Sequence, residues 1–240
     1  MATAESLAVP VVHRHLGSFL LGSTTPDIRS MTKAKRDDTH FASLDLTRVG
    51  EGMDGLLQTH PALADSSKVN DATKVFLSGY FTHLVADETW IIDMYRTYFG
   101  GHRVVDDEVM GNIWDRALQL DMDRAADEEL SGMGQVRSML LGSESGVDVE
   151  FIEPDTLVQW REWVTEFTTR EFSWDRLRFL TRRMYRDDPA AAQMVEEFLQ
   201  SAPGSLESVY EKIPAERIAQ YREQVITEAA RLIREYLGES

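Results

Sequence analysis

His83 and Asp87 stand four residues apart in the run Gly79-Tyr80-Phe81-Thr82-His83-Leu84-Val85-Ala86-Asp87. On a helix that spacing stacks both side chains on one face. Neutral imidazole and carboxylate are ordinary ligands of zinc-like ions. Such an ion would offset the cost of placing an ionisable pair beside an apolar stripe. A core hydrogen bond is the competing reading of this pair taken alone. The other histidines weigh toward the metal, because His13, His15, His40, His60, His83 and His102 all lie in the first 102 residues. The chain has no cysteine, so disulfides and thiolate sites are excluded. Any metal must be held by His, Asp and Glu.

The element that must position this pair is a long helix over about 71–98. Phe76, Tyr80, Leu84, Ile91 and Met94 recur there at helical spacing. Gly100-Gly101 ends it. Upstream, residues 10–22 read as one short apolar helix opened by Pro10 and closed by Gly22. Residues 23–45 read as a polar, turn-rich loop. Gly50, Gly52 and Gly55 weaken any helix over 46–58, and 61–70 reads as a loop after His60-Pro61. Further helices are expected near 106–121, 124–141, 155–171, 173–186, 189–201 and 214–237. Trp160, Trp163 and Trp174 read as core or helix-contact residues. No period-2 strand pattern and no internal repeat stands out, so the expected fold class is all-α, a multi-helical bundle.

Two shorter motifs precede the long helix. Asp27 lies in Gly22-Ser-Thr-Thr-Pro26-Asp27-Ile28, a turn leaving an apolar helix, where Asp ordinarily caps or makes an Asx-turn. His40 lies in Thr39-His40-Phe41. Taken in order with Gly79-Tyr80-x-x-His83-Leu-x-x-Asp87, these segments resemble the zinc-dependent phospholipase C family over roughly residues 13–91. That family shares its all-helical fold with certain single-strand-specific nucleases. The resemblance implies Asp27, His40, His83 and Asp87 as ligands of one centre, joined by either His13 or His15. With zinc bound, Asp27 would be the natural candidate to position or deprotonate a metal-bound water. A second ligand set of that family, a His followed by a spaced His-x-x-x-Glu, has no counterpart after Asp87, where only His102 remains. One zinc ion is therefore expected, or two bridged by Asp87, with a small-molecule or lipid phosphoester as substrate.

Composition sets the outer bounds. Acidic residues outnumber basic ones 41 to 25, for a formal charge of −16. That field disfavours nucleic acid and anionic lipid surfaces. There is no apolar run long enough to cross a membrane. The first ten residues lack a basic region followed by a long apolar one, so no secretory signal is expected and the location is expected to be cytoplasmic. Arg14, Lys33, Lys35, Arg36 and Arg103 are the nearby cations; Lys33 to Arg36 lie between two of the expected ligands and read as a solvated charge run, with contact to an anionic substrate as the alternative. Trp90 would wall the site or belong to the core. His60 and His102 read as loop residues outside it.

Residues 1–145 are expected to form the metal-binding helical core, with 146–240 as a C-terminal helical extension packed on the same domain and 142–154 as a linker or a long loop. Three functions stay open. The first is a metal-dependent phosphoester hydrolase. The second is a metal-binding helical protein without turnover, and the third a helical protein without metal. A histidine–aspartate phosphohydrolase is disfavoured, because no His-Asp dipeptide occurs.

Overall fold

The computed structural model describes residues 1–100, 107–129, 133–186, 188–201 and 204–239. Every regular element among them is helical, so the chain belongs to the all-α class. The chain clusters into two compact units. The first comprises Met1–Ile91, Gly134–Arg170 and Arg222–Ser240, and the second Ile92–Met133 and Glu171–Tyr221. No unit boundary falls at 145/146. Residues 142–153, in the stretch expected as a linker or a long loop, form turns and irregular chain within the first unit.

In the first unit α1 (Ala2–Leu7) precedes α2 (Pro10–Arg14) and α3 (Leu16–Gly22). The single helix expected over 10–22 is therefore broken at His15, which ends α2 and begins α3. The stretch expected as a loop carries a 3-10 turn (Thr25–Ile28), α4 (Arg29–Thr32) and α5 (Asp37–His40). Ser23, Thr24 and Thr25 turn their hydroxyls back onto the carbonyls of Leu20 and Leu21 at 2.7–2.9 Å. These bonds add to the backbone capping at the end of α3, where the Leu21 carbonyl also accepts the Thr24 amide at 3.1 Å. The Trp160 indole N–H reaches Thr24 Oγ1 at 3.2 Å.

The glycine-rich stretch makes a full helix, α6 (Glu51–Thr59). Its glycines are there for proximity. A Cβ on Gly52 would lie 2.5 Å from the His40 carbonyl, and one on Gly55 would lie 2.1 Å from that of Phe41. The helix propensity lost at these positions is exchanged for backbone contact with the turn after His40.

Next comes α7 (Asp71–Thr89), opened by the Asn70 side chain, which accepts from the Thr73 amide at 2.9 Å. Val75, Phe76, Leu77, Tyr80, Phe81, Leu84 and Val85 are all buried. A helix apolar on so many sides belongs in a core. It continues as a π-helix over Trp90–Phe99, with Ile91 and Met94 buried as the periodicity requires. Gly22 and Gly79 set its distance from α3. A Cβ on Gly22 would lie 2.0 Å from the Phe76 carbonyl, and one on Gly79 would lie 1.9 Å from that of Phe19.

One helix, α8 (Glu108–Glu129), replaces the expected break near 122, and α9 (Gly134–Leu140) follows it. Then come α10 (Pro154–Phe167), α11 (Asp175–Met184), α12 (Pro189–Gln200), α13 (Gly204–Lys212) and α14 (Ala215–Leu237). The sequence reading did not anticipate α13. The first unit's core joins Phe19, Phe76, Phe81, Trp160 and Ile233. Trp163, by contrast, is 37 % exposed and stacks on Trp160 at 4.9 Å. In the second unit α8 packs against α11, α12 and α13, burying Ile113, Ala117, Leu177, Val195 and Val209. No described helix is long and apolar enough to cross a membrane.

Replacing Gly79 with Ala must push α3 and α7 apart, since the added carbon meets backbone on both sides. The expected loss is about 3 kcal/mol, near the upper end for overpacking. Gly204→Ala, which meets nothing within 4 Å, should change stability by less than about 0.5 kcal/mol. Urea unfolding of the two variants checks this. Equal, small losses would mean that the α3–α7 contact is not tight.

Candidate metal centre

Asp27, His40 and His83 each bring one donor atom into a group whose members lie within 4.8 Å of one another. They come from three different elements. Asp27 sits in the 3-10 turn after α3, His40 is the last residue of α5, and His83 lies in the middle of α7. Asp27 is exposed, His40 is buried and His83 lies between. The cluster is therefore open to solvent on its carboxylate side.

Hydrogen bonds fix which imidazole nitrogen is free. His83 Nδ1 lies 3.0 Å from the Ser23 carbonyl, which only accepts. That nitrogen therefore carries the proton, and the lone pair is on Nε2. His40 Nδ1 lies 3.0 Å from Thr39 Oγ1. The Thr39 hydroxyl proton is given to the Arg36 carbonyl at 3.1 Å. Thr39 Oγ1 is thus an acceptor toward His40, whose lone pair is again on Nε2. The two rings meet edge to face, 5.5 Å between centres. Burial first, and repulsion from His83 second, push the His40 pKa down to about 4. At neutral pH this imidazole is uncharged, the form that ligates.

Two further contacts hold His40 in place. The buried Tyr80 hydroxyl donates to the Thr39 carbonyl. Phe41 adopts φ +55°, a left-handed conformation uncommon for a bulky residue, as the chain leaves α5. Glu88, one residue past Asp87, is buried and accepts the Gly50 and Gly52 amides at 2.5 and 2.6 Å. It tethers the start of α6 to α7. Burial pushes its pKa up to about 7 against the lowering effect of those amides.

The remaining expected ligands lie elsewhere. Asp87 is on the His83 face, but its carboxylate pairs with the Arg36 guanidinium and does not join the three-residue group. His13 is exposed, and His15 is half-buried at the α2–α3 break near Asp71. Neither completes the group. Their position follows from that break, which a single continuous helix over 10–22 did not anticipate. Comparison with protein-family models, curated proteins and solved structures finds no match for this chain.

Among the nearby cations, Lys33 and Lys35 are exposed, and the Lys33 ammonium bonds the Ser30 carbonyl at 3.0 Å. Arg14 reaches Asp71 at 3.7 Å. His60 pairs with Glu150 at 3.2 Å, and Trp90 is buried. His102 and Arg103 lie outside the described residues. Sequence reasoning missed Ser23, Thr39 and Glu88. Adjacency to Asp27 and His40 was the only sign that the first two matter, and Glu88 gave none.

His40 and Glu88 oppose each other in acid. Between pH 6.5 and about 4 the unfolded chain takes up a proton that folded His40 refuses. That difference lowers stability as pH falls. Between pH 7 and 4.5 folded Glu88 takes up a proton that the unfolded chain refuses, which raises stability as pH falls. In chelated protein, Glu88→Gln should therefore steepen the loss of stability from pH 7 to pH 5. Urea unfolding at both pH values reads it. An unchanged pH slope would refute the raised Glu88 pKa.

Proposed function

We propose that the protein is a metal-dependent hydrolase of phosphoesters, with Asp27, His40 and His83 holding one divalent ion, most simply zinc. The observation that carries this reading is the donor set. One carboxylate and two imidazoles converge within 4.8 Å, and both imidazoles have their Nδ1 protons engaged by neighbouring oxygens. Outer-sphere bonds of this kind orient histidine ligands in metal sites. Three protein ligands with an open side match a catalytic rather than a closed structural site. When bound there, a divalent ion would lower the pKa of a water and polarise a phosphoryl oxygen. The ordered motifs that resemble zinc-dependent phospholipase C support the same reading.

The chain's own residues have definite tasks in it. Buried His40 stays neutral and available at pH 7. The Ser23 carbonyl and Thr39 hydroxyl keep both rings in the ligating tautomer. Asp27, on the solvent side, would use its second carboxylate oxygen to orient and accept a proton from the attacking water. The helix that supplies His40 also lines a separate open cleft through Asp37 and Asp38, and none of Asp27, His40 and His83 is among its walls. The charge of −16 weighs against nucleic acid.

Purified protein should contain about one equivalent of zinc by elemental analysis, and His83→Ala should abolish it. Removing the metal with a chelator should lower the melting temperature by roughly 10 °C, as expected when a ligand present at about a thousand times its Kd is withdrawn. Turnover of bis(p-nitrophenyl) phosphate should fall at least about a hundredfold in Asp27→Asn. Bound metal with no turnover of any phosphodiester would leave a metal-binding protein, not a hydrolase. Protein that neither carries nor takes up zinc, manganese or iron would end the metal reading.

A further inference from the structure

We propose that the Arg36 guanidinium is a built-in counter-cation that reserves Asp87 and so keeps it out of the centre's ligand set. The inference rests on the metal reading of Asp27, His40 and His83, and goes beyond it to how many of the chain's side chains that centre takes.

Asp87 is one turn along α7 from His83 and shares its face. Its negative charge is felt at His40, as is the positive charge of Arg36. An ionised carboxylate beside a metal centre would ordinarily be drawn in, as a fourth ligand or as a ligand for a second ion. Here it is already taken, because Arg36 Nη2 pairs with Asp87 Oδ2. The guanidinium is itself fixed, with Nη1 donating to the Ala42 carbonyl at 2.9 Å. Its side chain is 15 % exposed, so solvent screens the pair only in part.

Arg36 is also tied to the ligand-bearing turn. Its carbonyl accepts the Thr39 and His40 amides at 2.9 and 2.8 Å, and the Thr39 hydroxyl as well. The residue that sets the His40 tautomer through Thr39 therefore also neutralises Asp87. Arginine stays protonated throughout the accessible pH range, so it cannot vacate Asp87 by losing a proton. A second divalent ion at Asp87 would have to break the ion pair and then sit beside a fixed positive charge. With Arg36 in place, the centre offers one carboxylate and two imidazoles and no more.

The test is zinc stoichiometry and affinity, measured by elemental analysis after gel filtration and by titration calorimetry with zinc alone. Wild-type protein should bind one equivalent. Arg36→Met, which keeps much of the side-chain volume and removes the charge, should bind one equivalent at least about tenfold more tightly, with Asp87 as a fourth ligand. Arg36→Met combined with Asp87→Asn should lose that gain. Arg36→Lys should stay near wild type, because the charge is kept. Asp87→Asn alone should still bind one equivalent, a reading that survives even if Arg36→Met fails to fold.

A folded Arg36→Met protein that binds zinc no more tightly than wild type would overturn the inference. So would a gain in that variant that persists when Asp87→Asn is added. Asp87→Asn protein that no longer binds zinc would place Asp87 among the ligands and overturn it too. Wild-type protein that binds no zinc brings down the metal reading itself, a result distinct from each of these.

Discussion

The close approach of α3 and α7 sets the distances on which the cluster of Asp27, His40 and His83 depends, because the two helices touch through their backbones at Gly22 and Gly79. Ser23 leaves the end of α3 at that contact, and His83 lies one turn beyond Gly79 on α7. The hydrogen bond from His83 to the Ser23 carbonyl is short enough to exist only because no side chain keeps the helices apart. The hydroxyls of Ser23, Thr24 and Thr25 then fold the chain back on the end of α3 and carry it into the turn that presents Asp27. Close packing here orders polar groups in sequence. The glycine pair sets the helix distance, the distance sets the tautomer, and the tautomer decides which nitrogen can serve as a ligand.

A second tether works from the opposite end of the site. Glu88 reaches across to the amides that open α6, and α6 lies against the carbonyls of His40 and Phe41 through Gly52 and Gly55. A buried carboxylate is costly unless it accepts strong donors, and two backbone amides at a helix start are such donors. Asp87 and Glu88 are neighbours in sequence with opposite tasks. One faces the cluster and is matched by Arg36, while the other faces inward and holds the wall behind His40.

Much of this was readable from the residues. The stripe Phe76, Tyr80, Leu84, Ile91 and Met94 marks a buried helix, and all five are buried. The three short motifs point to Asp27, His40 and His83, which the fold gathers from three elements. What escaped was set by tertiary contact. Gly50, Gly52 and Gly55 look like helix breakers until α6 is seen against the His40 turn, where only glycine fits. A continuous apolar pattern over 10–22 hides the break at His15, so the direction of both N-terminal histidines was open. Asp87 has ligand chemistry and ligand spacing, and only the position of Arg36, 51 residues earlier, shows that it is engaged. Two of the four boundaries between the units, Ile91/Ile92 and Tyr221/Arg222, lie inside helical segments, where composition carries no signal.

The outer partners of the two imidazoles are a main-chain carbonyl and a threonine hydroxyl, both neutral. Neither places a second negative charge behind its ring, so Asp27 is the one carboxylate of the three-residue group. A divalent ion held there would leave the cluster with a net positive charge on the side that faces solvent. In a chain whose formal charge is −16, such a cluster would be a local reversal of sign.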